Sequence, residues 1–339
     1  MPPLLIADGD IATTHIIARV IREAYGDVQI AYPATLQSMR LQGRLVIISR
    51  LCLPELGWLP DYLTKKNIGY SYFLDDNFFE LNVAYDKHNG AFFSHPATRA
   101  TLSRFIDSAD RVIVMSAVLA AELRHRFPRQ QIRLIAAPID LALIDRLLPP
   151  SQAVTSEKFR VGYPSTRRPN VSNLLTDIVN QSLLLHGDSI EFEFMGWMPE
   201  SLRDVTGVAF LPAVEGYENY VAVVQSRGWN AALAPMMDST FENCKTNLKY
   251  REYAAFGIPG VYSDVQLYAS SVASGRTGLL AQNRSEDWVV ALNQLRIDLP
   301  LRQAITSAAR HDMEKHYAQP LVAAQLKQIF DGTAAENHE

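Results

Sequence analysis

The stretch Asn230–Asp264, NAALAPMMDSTFENCKTNLKYREYAAFGIPGVYSD, alternates two apolar runs with one helical segment. "NAALAPM" reads as a buried strand. "LKYREYAAFG" reads as a short helix ending at Gly257, with Pro259 just beyond it. "PGVYSD" then reads as a second strand. A strand, a helix and a strand in that order make a βαβ unit, and βαβ units build parallel sheets. The polar connection between the first strand and the helix holds Asn243, Lys245 and Asn247, and the helix opens with Lys249. Such a connection is a natural anion site, because the first turn of a helix offers free N–H groups and the positive end of its dipole.

The same alternation extends outward in both directions. Towards the N-terminus, "PLLIADG", "DVQIAYP", "RLVIISR", "GYSYFLDD", "DRVIVMS" and "IRLIAAPID" are strand candidates. "IATTHIIARVIREAYG", "PATRATLSRFIDSA" and "AVLAAELRHRF" read as helices between them. The run "LLPPSQAVTSEK" breaks the pattern with two prolines and polar residues, and marks a linker. A second series starts at Phe159 with "FRVGYPS" and continues through "IEFEFMG", "GVAFLPA" and the opening stretch to "GLLAQ". The expectation is α/β, with two Rossmann-like domains facing across a cleft. They span 1–150 and 157–318, a helix at 319–331 packs back on the first domain, and 332–339 form a disordered tail. In such sheets ligands lie off the carboxyl ends of the strands.

Bulk properties agree with a globular protein of two domains. The chain has 339 residues, 48% hydrophobic and 20% charged, with a formal net charge of -4. That balance argues against a nucleic-acid partner bound over the whole surface. The two cysteines, Cys52 and Cys244, give no disulfide framework. The N-terminus lacks a basic region before Asp8, so it does not read as a signal peptide. No apolar run reaches the roughly 18–20 residues of a membrane span. The expected location is the cytoplasm, with contact at the inner membrane face left open.

Three strand-to-helix loops collect candidate ligand groups. In the first, Lys245 supplies a point charge for a phosphate. Asn243 and Asn247 suit capping or ligand binding. Glu252, about two helical turns on, suits a diol such as a ribose. The competing reading is a capped amphipathic helix with solvated lysines. In the second, Gly162 to Ser165 end a strand, and Arg167 and Arg168 follow as forks for a diphosphate. In the third, Gly216 and Tyr217 offer an aromatic surface for a base. Elsewhere, Asp75 and Asp76 end a strand, and His88 and His95 lie in the connection after it. "ELRHRFPRQQIR" gathers Arg124, His125, Arg126, Arg129 and Arg133 beside Phe127, a pattern compatible with anionic lipid. "LLIADGD" superficially suggests an acidic receiver pocket, but partner residues at later strand ends are missing.

The residues from Ala234 to Asp264, followed by "YASSVASGRTGLLAQNRSEDWVVALNQL", resemble the C-terminal half of GT-B glycosyltransferases, the large retaining bacterial family (glycosyl transferases group 1). Phe241, Lys245, Lys249, Glu252, Gly257 and Pro259 carry that resemblance, then Gly275, Thr277, Gly278, Leu279 and Trp288. "RVGYPSTRRPN" is similar to the family's phosphate-contacting loop. "YFLDDNFFEL" and "ADRVIVMSAVLAAEL" resemble N-terminal segments of the same subgroup. The resemblance implies a hexosyltransferase-like enzyme that moves a sugar from a nucleotide diphosphate-sugar to an acceptor hydroxyl, in bacterial polysaccharide or glycoconjugate assembly, with retention and without a metal or other cofactor. Arg167, Lys245 and Asp238 would be catalytic. Gly162, Ser165, Arg168, Tyr217, Asn243, Thr246, Asn247, Lys249 and Glu252 would bind the donor. Asp75, Asp76 and His95 would face the acceptor, which is a glycan, a lipid-linked group or a protein, and residues 124–133 would touch a membrane. The sequence departs from the family at Cys244, where the first of two glutamates with seven residues between them is expected. Asp238 or Glu242 takes that acid's place, and the subgroup with an acid before Phe-Asn points to Asp238. A GT-B nucleotide-sugar epimerase and a non-catalytic nucleotide-sugar-binding module are the alternatives.

Overall fold

The computed structural model describes residues 1–83, 86–147 and 157–332. Most of the expected linker, and the tail from 333, lie outside the described residues. The chain divides into two compact units. The first holds Met1–Pro138, the four residues Asn243–Thr246 and the segment from Gln319. The second holds Ile139–Glu242 and Asn247–Ala318.

The first unit is built on a parallel six-stranded sheet. Its strands are β1 (Leu4–Ala7), β2 (Gln29–Ala31), β3 (Val46–Ser49), β4 (Ser71–Leu74), β5 (Arg111–Val114) and β6 (Ile132–Leu134), in the order β2-β1-β3-β4-β5-β6. The short apolar runs form strands buried on both faces, as parallel sheets require. Leu5, Ile47, Phe73 and Ile113 point to one face, where they meet Ile17 and Ile21 of helix Ala12–Tyr25 and Val322 and Leu326 of helix Gln319–Asp331. The last helix is tied down further. Arg111 Nη1 donates to Ile329 O at 2.7 Å, and Ala136 N donates to Gln325 Oε1 at 2.9 Å. On the other face Tyr72 stacks on Phe105, with ring centroids 5.8 Å apart.

The second unit has its own parallel six-stranded sheet. Its strands are β7 (Phe159–Pro164), β8 (Ile190–Met195), β9 (Val208–Leu211), β10 (Ala231–Ala234), β11 (Gly260–Ser263) and β12 (Leu279–Ala281), ordered β12-β11-β10-β7-β8-β9. The chain runs outward from β7 to β9 and then returns to β10 on the other side of β7. The strand order therefore reverses between β7 and β10, and a crevice opens at their carboxyl ends. In the first unit the reversal lies between β1 and β3.

Two local features differ from the sequence expectation. Helix Leu141–Leu147 was not anticipated, and it groups with the second unit rather than closing the first domain at 150. Ile139 and Ile144 pack into the second unit's core, and Arg310 Nη2 pairs with Asp145 at 2.7 Å. Gly162 lies inside β7, where a Cβ would sit 2.0 Å from the Trp229 ring. Its smallness serves close packing of Trp229 and not the approach of a ligand.

Candidate functional site

The second unit's crevice is built from the loops that follow β7 and β10. Ser165 N donates to Met195 O at 2.9 Å, which fixes the start of the β7 loop. The β10 loop is held by a relay in which Ser263 Oγ accepts from Met236 N at 2.8 Å and Asn283 Nδ2 donates to Met236 O at 2.8 Å. Where the loops meet stands Glu242, only 1% exposed. Its Oε1 accepts from Arg168 Nη1 and Asn170 Nδ2, each at 3.1 Å, and its Oε2 accepts from Met237 N at 2.7 Å. A buried carboxylate persists only with such compensation. Arg168 is thus the member of the arginine pair engaged in the crevice, and Arg167 is exposed. Of the two candidate acids, Glu242 is the buried one and Asp238 is exposed in the same loop.

One strand further along the sheet, helix Leu248–Phe256 presents Glu252, 3% exposed. Tyr220 Oη donates to Glu252 Oε2 at 3.1 Å, and Lys249 Nζ lies 3.3 Å from the same oxygen. Burial first, and then the neighbouring carboxylate, push the Tyr220 phenol well above its ordinary pKa, so it stays protonated and donates. Tyr217 opens the helix Tyr217–Ser226 behind Gly216, whose φ of +80° suits a residue without a Cβ. The Tyr217 ring lies 6.1 Å from that of Tyr220 and is half-buried. Glu252, Tyr217 and Lys249 therefore stand together, and Tyr220 joins them.

Asn247 serves a different purpose from the one expected. Its side chain makes no cap to the helix it precedes. Instead Asn247 Nδ2 donates to Tyr317 Oη at 3.1 Å, and its Oδ1 accepts from Arg251 Nε at 3.0 Å. Arg251 is 3% exposed, and burial lowers its pKa to about 10, so it remains a cation at neutral pH. Asn247 is a structural anchor for that cation.

Residues Asn243–Thr246 group with the first unit. Lys245 Nζ lies 3.3 Å from Asp76 Oδ1. Cys244, at the position where the family pattern expects an acid, is buried and accepts from Asn77 Nδ2 at 3.5 Å. Burial pushes its thiol up to about 11, so it contributes no charge at neutral pH. Asn243 is buried and Thr246 half-buried.

In the first unit, Arg50 occupies the carboxyl end of β3, and sequence reasoning did not single it out. Its Nη1 lies 2.9 Å from Asp75 Oδ1, and its Nε lies 3.3 Å from Asp8 Oδ2. Thr13 Oγ1 donates to Asp75 Oδ2 at 2.6 Å. Burial raises the pKa of both acids while Arg50 opposes the rise. Asp75, expected to face the acceptor, is thus engaged by Arg50 and Thr13. His95, also expected to face the acceptor, instead caps helix Pro96–Ser108, its Nδ1 accepting from Ala97 N at 3.2 Å. The side chain of His88 lies outside the described residues. Among the described residues no cluster of His, Cys, Asp and Glu is arranged to hold a metal ion.

The basic stretch 124–133 also changes meaning. Phe127 is 8% exposed and packs against Phe79, with centroids 5.7 Å apart. Arg126 lies over the Phe79 ring at 4.3 Å, and Arg124 Nη2 donates to Ile132 O at 3.2 Å. The stretch offers no aromatic anchor. Among the described residues no helix is long and apolar enough to cross a membrane.

No family model matches the sequence, and no curated protein matches it. The fold does match solved structures over nearly their whole length. A sucrose-phosphate synthase from Thermosynechococcus elongatus aligns with a TM-score of 0.69 at 15% identity, over 98% of this chain and 99% of that one. The Anabaena protein HepE, in complex with UDP and glucose, aligns with a TM-score of 0.72 at 13% identity, over 98% of this chain and 100% of that one. A glycosyltransferase from Rickettsia africae aligns with a TM-score of 0.65 at 10% identity, over 99% of each chain. With the two parallel six-stranded sheets, these likenesses establish a GT-B fold.

Proposed function

We propose that this chain is a glycosyltransferase that moves a hexosyl group from a nucleotide diphosphate-sugar to an acceptor hydroxyl, with the donor seated in the second unit. The observation that carries the reading is the pairing of two buried carboxylates along one sheet edge. Glu242 is held against Arg168, and Glu252 is held by Tyr220 and Lys249. Both contacts to Glu252 fall on Oε2, which leaves Oε1 to accept from ribose hydroxyls. Arg168 and the β7 loop suit the diphosphate, and Tyr217 suits the base. Arg167 is a further cation for the leaving diphosphate, and the resemblance implies the same of Lys245. Stabilising charge where it develops is usually the largest catalytic contribution.

Glu242 anchors Arg168 beside the donor, and Asp238, exposed in the same loop, keeps the role of the acid that contacts the sugar. The resemblance supports retention and a metal-independent departure of the diphosphate. The solved complex of HepE with UDP and glucose supports a uridine nucleotide as the first donor to try. Assembly of a bacterial glycan, with a glycan or lipid-linked acceptor in the cytoplasm, is the setting that the resemblance favours.

The test is calorimetric titration with UDP, GDP, dTDP and CMP, with and without EDTA. One nucleotide should bind saturably, and binding should survive EDTA. Glu252→Ala and Arg168→Ala should each weaken it about ten-fold or more, the worth of one charge-assisted hydrogen bond. Failure of every nucleotide to bind the folded protein would refute the reading. Conversion of the donor to an isomer without acceptor would replace it with an epimerase.

A further inference from the structure

We propose that a groove beside helix Leu59–Lys65 seats the first unit on an anionic phospholipid surface. The groove encloses about 450 Å³ and has an apolar floor that includes Met39, Leu41, Leu59 and Ile68. Two aromatic side chains stand at its mouth. Trp58 is 48% exposed and Tyr62 is 41% exposed. Their rings meet edge to face with centroids 5.8 Å apart. Exposed aromatic pairs over an apolar floor have no reason to face bulk water. Trp and Tyr have an apolar body and a polar tip, which suits the headgroup level of a bilayer.

The charges around the groove point to one occupant. Arg40 and Lys66 line it, and Lys65 is exposed at the end of the same helix. No ion pair holds any of the three among the described residues. On the acidic side, Asp61 is ion-paired to Arg104, which leaves the exposed Glu55 in the preceding turn. Three cations against one acid complement an anionic surface. The apolar floor selects a lipid over a soluble phosphate, since a phosphate alone gains nothing from Met39 or Ile68. This surface replaces the basic stretch 124–133, whose one aromatic is buried. The inference stands apart from the donor reading, because none of these residues belongs to the second unit.

The experiment uses the full chain and vesicles of phosphatidylglycerol and phosphatidylcholine in equal parts, with pure phosphatidylcholine as the neutral arm. Co-sedimentation should occur with the anionic vesicles and fade with added salt. Brominated acyl chains should quench the tryptophan emission. Trp229 and Trp288 are buried and Trp197 is half-buried, so quenching reports chiefly on Trp58, and Trp58→Phe should abolish it. Each basic residue contributes on the order of five-fold to partitioning onto such a surface. The double variant Lys65→Glu/Lys66→Glu should therefore lower partitioning by roughly 25-fold or more. Trp58, Tyr62, Lys65 and Lys66 are all exposed, and circular dichroism checks that the variants fold.

Absence of sedimentation with anionic vesicles would overturn the proposal. Equal binding to neutral vesicles, or binding that the double variant leaves unchanged, would do the same. So would light scattering that shows a dimer which Trp58→Ala/Tyr62→Ala converts to monomer, since the face would then join two copies of the chain. Nucleotide titration of the same variants should match wild type, which separates this outcome from failure of the donor reading.

Discussion

Glu242→Gln removes a buried charge and keeps the shape of the side chain. In the native crevice Oε1 receives two donors, Arg168 and Asn170, and Oε2 receives the Met237 N–H. A glutamine has one acceptor oxygen and one NH₂ group. If the oxygen faces Arg168 and Asn170, the NH₂ meets the Met237 N–H, donor against donor. If it turns round, two donors lose their acceptor. Either way at least one bond is lost, and Arg168 loses its counter-charge. Hydrogen bonds to charged groups are worth about 1.5–3 kcal/mol each, so the expected loss is roughly 2–4 kcal/mol. At about 2–4 °C per kcal/mol for a domain of this size, Tm should fall by roughly 5–15 °C. Asp238→Asn is the control. Its side chain is exposed, and the expected change is about 1 kcal/mol or less. The assay is thermal unfolding of the three proteins side by side. If Glu242→Gln melts with wild type, or if Asp238→Asn loses as much, Glu242 is not the anchor of the crevice.

Two further outcomes follow from the packing beneath the crevice. Gly162→Ala places a Cβ 2.0 Å from Trp229, whose Nε1 donates to Glu193 Oε2 at 2.8 Å. The ring must move and strain that bond, so stability should drop by about 3 kcal/mol in urea unfolding, and a loss under about 1 kcal/mol would show that the ring yields freely. Glu193 carries the pH dependence. Burial alone would raise its carboxyl, but hydrogen bonds from Arg227 and Trp229 and the charges of Arg227 and Arg160 bring it below the ordinary value of 4.5. Its contribution is present above that value and is lost as pH falls through the lower folded one. Glu193→Gln should therefore lose stability less steeply than wild type on acidification below pH 4.5, and parallel decline in the two urea midpoints would refute the linkage.

The sheets were legible because each strand is a short apolar run closed by a polar or glycine signal. "LLIA", "VIIS" and "AALA" leave little else to assign. The helix Leu141–Leu147 was hidden by the prolines at 149 and 150, which drew the boundary past it. The placement of the candidate residues was legible in part. Arg168 lies in the connection after β7, and Glu252 lies on the helix that follows the connection after β10, as the sequence pattern predicts. Glu242 entered only as the alternative to Asp238, because its burial depends on Arg168 and Asn170, 74 and 72 positions away. Asn247 misled because capping and anchoring use the same residue type, and only the buried Arg251 decides between them. Two signals went unused. His95 precedes Pro96, the first residue of a helix, which is a capping position. Phe127 follows a helix and is apolar among charges, which already favours burial over lipid contact.

Both sheets reverse strand order beside their first strand, so each unit has a crevice at the carboxyl ends of its strands. They are compensated differently. In the first unit Arg50 pairs with Asp8 and Asp75, lies 4.7 Å over the Phe78 ring, and holds φ at +61°, a costly conformation for arginine. Its side chain is 16% exposed. That strain persists because two partly buried carboxylates hold the guanidinium, so this cation is already paired with the protein's own charges. In the second unit the Arg168 side chain keeps 29% of its area in solvent while pairing with a carboxylate that keeps 1%. The acid is buried and the cation looks outward. Glu252 likewise is buried, with both its donors on one oxygen. An arrangement that hides its acids and turns an arginine toward solvent suits an anionic ligand, whereas one that surrounds its arginine with acids repels it. The same topology therefore leaves an outward-facing arginine in the second unit and an internally paired one in the first.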